Sequence, residues 1–169
     1  MGLRYRLVTI RLGHIGVVAD AQGLRRVHLP QCCADELRCE ILADYPDAWE
    51  DEDLLPDLAG DLCRYFAGQP VVFSVPVHAD GASAFARAVW DACRAIPYGQ
   101  TMSYKALASR AGRPAAARAV GLAMARNPCP IVIPCHRVVG SNGALRGYSG
   151  PGGIEFKRLL LDMETGKHA

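Results

Sequence analysis

Three prolines, Pro128, Pro130 and Pro134, punctuate the run from Asn127 to Val139 and set the hardest local limit on what this chain can build. Each lacks a backbone donor and pushes the residue before it toward extended geometry, so no helix passes through. The apolar Ile131-Val132-Ile133 between them therefore reads as a buried strand or loop. It stops at Pro134 and presents Cys135, followed by His136 and Arg137.

A thiol is a weak nucleophile until a base or nearby positive charge favours the thiolate, and its reference pKa is about 8.5. His136 and Arg137 are suitable neighbours. On an extended chain, however, adjacent side chains point to opposite faces, so the imidazole reaches the sulfur only through a bridging water or a turn at Cys135. The competing reading is a small apolar core cysteine.

Charge divides along the chain. Residues 1–80 hold 7 basic and 13 acidic side chains, and residues 81–169 hold 12 and 4, so −6 and +8 sum to the net +2. No carboxylate lies between Asp91 and Glu155, whereas Arg94, Lys105, Arg110, Arg113, Arg118, Arg126, Arg137 and Arg146 do. Such a field suits a polyanion. No apolar run approaches the roughly 20 residues that span a bilayer, and the N-terminus lacks a signal-peptide pattern, so a cytoplasmic protein without membrane contact is expected. The seven cysteines show no repeated metal-ligand spacing and read as free thiols, with no metal predicted.

Residues 3–10 read as a strand, and the runs 15–19 and 24–29 around Asp20-Ala21-Gln22-Gly23 as a hairpin. A helix is predicted over 34–45. The acidic run Glu50 to Asp53 is expected to open a second helix ending near Gly68, and Val71 to Val77 reads as a strand. The cysteines of this half and His28 read as packing residues. The polar stretch 79–83 marks the boundary, giving a structural domain over 1–78, a connector over 79–83 and a second domain over 84–169.

In the second half, a helix through Phe85, Val89 and Trp90 ends before Pro97-Tyr98-Gly99. Thr101 or Ser103 caps a short helix that Gly112 terminates, and Pro114 suits the first turn of another running to Arg126. Two short helices about a glycine turn are a helix-turn-helix signature. The second is lined with Ala115, Ala116, Ala117, Ala119 and Gly121, leaving Arg118 as its long projecting group. A final helix carries Phe156, Lys157, Leu159, Leu160, Met163 and Glu164.

With Asn127 upstream and Gly147-Tyr148-Ser149-Gly150 downstream, the intact Pro-Cys-His-Arg-Val motif of residues 134–138 resembles the O6-alkylguanine-DNA alkyltransferases. The likeness runs from Phe85 to Glu164 and is weaker in the first half. It implies an α/β N-terminal domain, a small antiparallel sheet with helices, followed by a mainly α, winged-helix-like helix-turn-helix domain. It further implies direct, irreversible transfer of an alkyl group from guanine O6 in duplex DNA to Cys135, with thymine O4 as a further candidate source. The implied protein is a monomer that needs no cofactor.

Carried over residue by residue, the resemblance makes Cys135 the nucleophile and His136, held by Glu164, its base through a water. Tyr104 donates to guanine N3 and Asn127 supports the turn. Val138, Tyr148, Ser149 and Lys157 surround the substrate. Arg118 fills the gap left by an everted nucleotide, with Ala116, Ala117, Ala119 and Arg137 on the DNA. The sequence departs from the family pattern by a two-residue insertion around Pro151-Gly152. Two rivals stay open at this stage: a damage-binding protein without repair, and a cysteine hydrolase.

Overall fold

The structure, a computed structural model, describes residues 2–148, 150 and 152–167. It comprises two compact units, Met1–Ala79 and Asp80–Ala169.

In the first unit, β1 (Arg4–Ile10), β2 (Gly13–Asp20) and β3 (Gly23–Gln31) pair antiparallel, and β4 (Trp49–Glu50) adds to β1 in parallel, giving the order β3-β2-β1-β4. Helix α1 (Ala34–Asp44) buries Leu37 and Ile41 against Tyr5, Val18 and Ala48. That approach depends on Gly16, where a Cβ would come within 2.7 Å of the Ile41 side chain. Helix α2 (Pro56–Phe66) buries Leu58, Leu62, Tyr65 and Phe66, spaced to form one helical stripe.

Two expectations for this unit need correction. The acidic run does not open α2. Glu50 ends β4 and Asp51 closes a turn, accepting from Leu54 N and Arg4 Nη1, so the helix starts at Pro56, a residue suited to a first turn. Residues 71–77 form no ladder strand. Pro76 lacks a donor, and the segment meets the sheet through a single bridge at Leu24, which donates to Pro76 O and accepts from His78 N.

The second unit is mainly helical. Ser83 caps α3 (Ala84–Arg94) and Ser103 caps α4 (Tyr104–Arg110), each accepting from a backbone N–H at 3.1 Å. Helix α5 (Ala117–Ala125) follows, and α6 (Gly153–Glu164) closes the unit. A two-residue parallel pair joins β5 (Met102–Ser103) to β6 (Val138–Val139), tying the start of α4 to the end of the proline-rich stretch. The Trp90 indole donates to Ala123 O, holding α3 against α5.

Helix α5 starts later than Pro114 suggests. Arg113 to Ala116 form a turn closed by Ala116 N on Arg113 O, so Ala115 and Ala116 precede the helix. With Gly112 at φ +77° ending α4, the pair remains a helix-turn-helix.

Candidate active site

The stretch between α5 and β6 is a loop held by internal bonds. Asn127 donates from Nδ2 to Ile133 O at 2.8 Å and accepts at Oδ1 from Cys129 N at 2.9 Å. One amide side chain thus bridges both ends of the apolar run, and Ile131 adopts φ +74° to close it. Cys129, Ile131, Val132 and Ile133 are buried beneath.

At Pro134 the chain turns. Cys135–Arg137 is one 3₁₀ turn, with Arg137 N donating to Pro134 O at 2.9 Å. Cys135 stays partly exposed while His136 and Arg137 point into the unit, 0% and 5% exposed.

Both inward groups meet Glu164 at the end of α6. His136 Nε2 lies 2.7 Å from Oε1; Arg137 Nε and Nη2 reach the same carboxylate at 3.0 Å, and Gly99 N donates to Oε2 at 3.0 Å. Arg137 Nη1 donates to Ile96 O at 2.7 Å, with the Tyr98 ring 5.8 Å from the guanidinium. Gly99 has φ +71°, and a Cβ there would stand 3.2 Å from Glu164 O, so glycine permits the close approach.

Burial alone would raise the Glu164 carboxyl, but the His136 hydrogen bond and the Arg137 charge more than reverse this, leaving it at about 2. An ionised carboxylate only accepts, so Nε2 of His136 carries the proton and the neutral ring keeps Nδ1 as its basic nitrogen. Burial lowers the His136 pKa despite the carboxylate, so the imidazole is neutral at pH 7.

Cys135 itself is pushed up by its poorly solvated surroundings, against the opposing pull of Asn127, Lys157 and nearby backbone N–H groups. The thiol is therefore protonated at rest and needs a base. Lys157, fully buried, donates from Nζ to Val138 O at 2.6 Å and Arg146 O at 3.1 Å; burial lowers its pKa. The buried Cys93 thiol is raised by burial and by the charge of Cys135.

Beside this centre opens a cavity of about 550 Å³, lined by Tyr104, Arg118, Gly121, Arg146 and Tyr148 among others. Tyr104 donates to Arg146 O at 3.1 Å. The buried Tyr148 hydroxyl has no hydrogen-bond partner among the described residues. Both tyrosines are raised, first by burial and then by the Cys135 charge, which places the sulfur near them.

The structure thus gathers Cys135, His136, Glu164, Asn127, Val138 and Lys157 at one centre, with Tyr104, Tyr148 and Arg118 on the adjoining cavity. Ala117 also lines that cavity, whereas Ala116 and Ala119 are half-buried on or before α5. Ser149 lies outside the described residues, as does Pro151 of the insertion. Arg137 requires correction: a guanidinium 5% exposed and committed to Glu164 and Ile96 has no face left for DNA phosphates. The exposed cations among the described residues of this unit are instead Arg87, Lys105, Arg110, Arg113, Arg118, Arg126, Arg146, Arg158 and Lys167. Residue-type reasoning did not place Gly99 or Arg146 in the site; the Pro97-Tyr98-Gly99 turn was the available signal for the first, and Arg146 was read only as one cation of the basic stretch. Among the described residues no three His, Cys, Asp or Glu side chains converge as a metal requires, and no helix is long and apolar enough to cross a membrane.

A helix-turn-helix with a thiol at its edge and a charged relay behind it defines a class: DNA-binding proteins that carry their own nucleophile. Two family models match the chain, the DNA-binding domain of 6-O-methylguanine DNA methyltransferase over residues 84–166 and its ribonuclease-like domain over residues 3–79. A methylated-DNA–protein-cysteine methyltransferase of Methanosarcina acetivorans is 37% identical over 161 residues, covering 95% of this chain and 97% of that one. An inducible methyltransferase of the same name from Bacillus subtilis is 50% identical over 115 residues, 68% of this chain and 63% of its own. A crystal structure of Mycobacterium tuberculosis OGT in complex with DNA superposes with a TM-score of 0.79 at 36% identity, covering 97% of this chain and 94% of that one. The chain belongs to the 6-O-methylguanine DNA methyltransferase family.

Proposed function

We propose that this protein repairs DNA by moving an alkyl group from O6 of guanine in duplex DNA to Cys135, once per molecule. The observation that carries the reading is the turn at Cys135, which leaves a partly exposed thiol beside a cavity while the next two side chains share one buried carboxylate.

The reaction is displacement at saturated carbon. Cys135 Sγ attacks the alkyl carbon, the S–C bond forms, and the C–O6 bond breaks with its electron pair leaving on guanine. The thiol proton passes through a water to His136 Nδ1, and the Glu164 carboxylate stabilises the imidazolium that results. The Tyr104 hydroxyl, released from Arg146 O, donates to guanine N3 as negative charge grows, and the base takes up a proton as it leaves the site. Asn127 fixes the loop carrying the sulfur. The carbonyls of Cys135 and Val138 accept from the exocyclic amine, Lys157 orients that of Val138, and Tyr148 completes the pocket.

Reaching O6 requires the nucleotide to leave the stack. Arg118, exposed on α5 and lining the cavity mouth, fills the vacated space; Ala116, Ala117 and Ala119 let the helix approach a minor groove whose degenerate pattern suits a protein acting on any sequence. The protein works as a monomer in the cytoplasm. Alkyl groups on thymine O4 are a second candidate substrate.

The test is transfer of a radiolabelled methyl group from an O6-methylguanine duplex. The label is expected on the protein, with guanine restored in the DNA, and none on Cys135→Ser. Release of the label as methanol would instead indicate hydrolysis, and binding without transfer a damage sensor.

A further inference from the structure

Helix α5 carries two long side chains on its solvent side, and only Arg118 has been given a task. The other is Leu122, 62% exposed, one turn further along. The inward face of the helix is Val120, Ala123 and Met124, all buried, so residues 118 and 122 project away from the core together. Ala117, Ala119, Gly121 and Ala125 around them are too small to reach as far. An exposed leucine set among alanines and a glycine on its own helix is an unsatisfied group on a face otherwise prepared for close approach.

We infer that Leu122 is an apolar wedge that enters the DNA minor groove beside the extruded nucleotide and holds the neighbouring base step open. This rests on the reading of α5 as the DNA-entering helix. The occupant follows from charge: the cations around this helix, Lys105, Arg110, Arg113 and Arg126, are exposed, and residues 92–154 contain no carboxylate to repel phosphate. Side chains four apart on a helix stand about 5–6 Å from each other, and successive bases on one strand about 3.4 Å, so Leu122 falls about two steps from the gap that Arg118 fills. Apolar wedges between base steps are a general device of minor-groove binders.

The test uses the full chain and a duplex with 2-aminopurine two steps from O6-methylguanine, on either side. Wild-type protein should raise the fluorescence as the step opens. Leu122→Ala should bind this duplex about fivefold more weakly, the effect of leaving half a leucine uncovered, with a smaller fluorescence rise. Its thermal midpoint and its rate with free O6-alkylguanine base should be unchanged, and Leu122→Met should restore binding and fluorescence. Wild-type affinity and fluorescence in Leu122→Ala, in a protein whose duplex binding Arg118→Ala still weakens, would overturn the wedge alone. Failure of wild-type protein to bind duplex at all would overturn the DNA reading with it.

Discussion

Arg137 and Glu164, 27 residues apart, form a buried ion pair in which Nε and Nη2 both meet one carboxylate, at 3.0 Å to Oε2 and Oε1 respectively. The same carboxylate takes the His136 hydrogen bond, so the arginine that follows the motif histidine anchors the relay from within. Its charge helps keep Glu164 ionised, which fixes the His136 tautomer.

Arg137→Ala should therefore act on stability and not on DNA. Removing one partner of a buried pair leaves the other charge uncompensated and costs about 3–5 kcal/mol. Urea unfolding should show that loss, while the salt dependence of duplex binding by the folded variant stays that of wild type. A shallower salt slope would mean that Arg137 meets phosphate after all.

Acid should release the same anchor. The folded Glu164 carboxyl lies near 2, below its ordinary 4.5, so its contribution is fully present above pH 4.5 and is lost as pH falls toward 2. Two and a half units correspond to about 3 kcal/mol. Glu164→Gln should be less stable than wild type at neutral pH, and the difference should shrink between pH 4.5 and 2. A gap independent of pH would contradict this linkage.

His136→Gln should slow transfer by about 10²–10⁴-fold at pH 7, the usual worth of a positioned base. Because the Cys135 thiol is held above its ordinary value, the variant should recover part of its rate as pH rises past 9 and thiolate forms without help. Wild type should show no loss of rate down to pH 6.5, since the folded imidazole titrates lower. A variant whose deficit is the same at every pH would deny His136 its role as base.

Arg118→Ala should weaken repair of duplex DNA by at least about tenfold and leave reaction with free O6-alkylguanine base unchanged, as loss of a gap-filling group costs about 1.4 kcal/mol or more only where a gap exists. Single-turnover rates on the two substrates decide it; equal losses would move Arg118 into the chemistry.

Much of this site is legible in the sequence because its chemistry is local. The prolines exclude a helix, the motif supplies thiol and imidazole, and of the two candidate caps for α4 it is Ser103 that accepts from the helix N-terminus. What escaped is tertiary. An arginine beside a thiol reads as exposed charge until α6 returns to bury it. The acidic run 50–53 reads as a helix start because carboxylates favour first turns, yet Asp51 is spent on Arg4 and a turn. Val71 to Val77 alternates like a strand, but strand status depends on partners, and Pro76 offers no donor.

Leu122 was hidden for the opposite reason: its type predicts burial, and only the helix's orientation shows it facing out.

The central claim is that Cys135 is the acceptor and that the bond it forms is final, since a thioether is open neither to exchange nor to water. Intact mass and peptide mapping after incubation with excess O6-methylguanine duplex test this directly. The expected result is a gain of one methylene per protein, located on the peptide containing Cys135, followed by no further loss of O6-methylguanine. Continued repair beyond one equivalent, or the added methylene on Cys93 or Cys129, would contradict it.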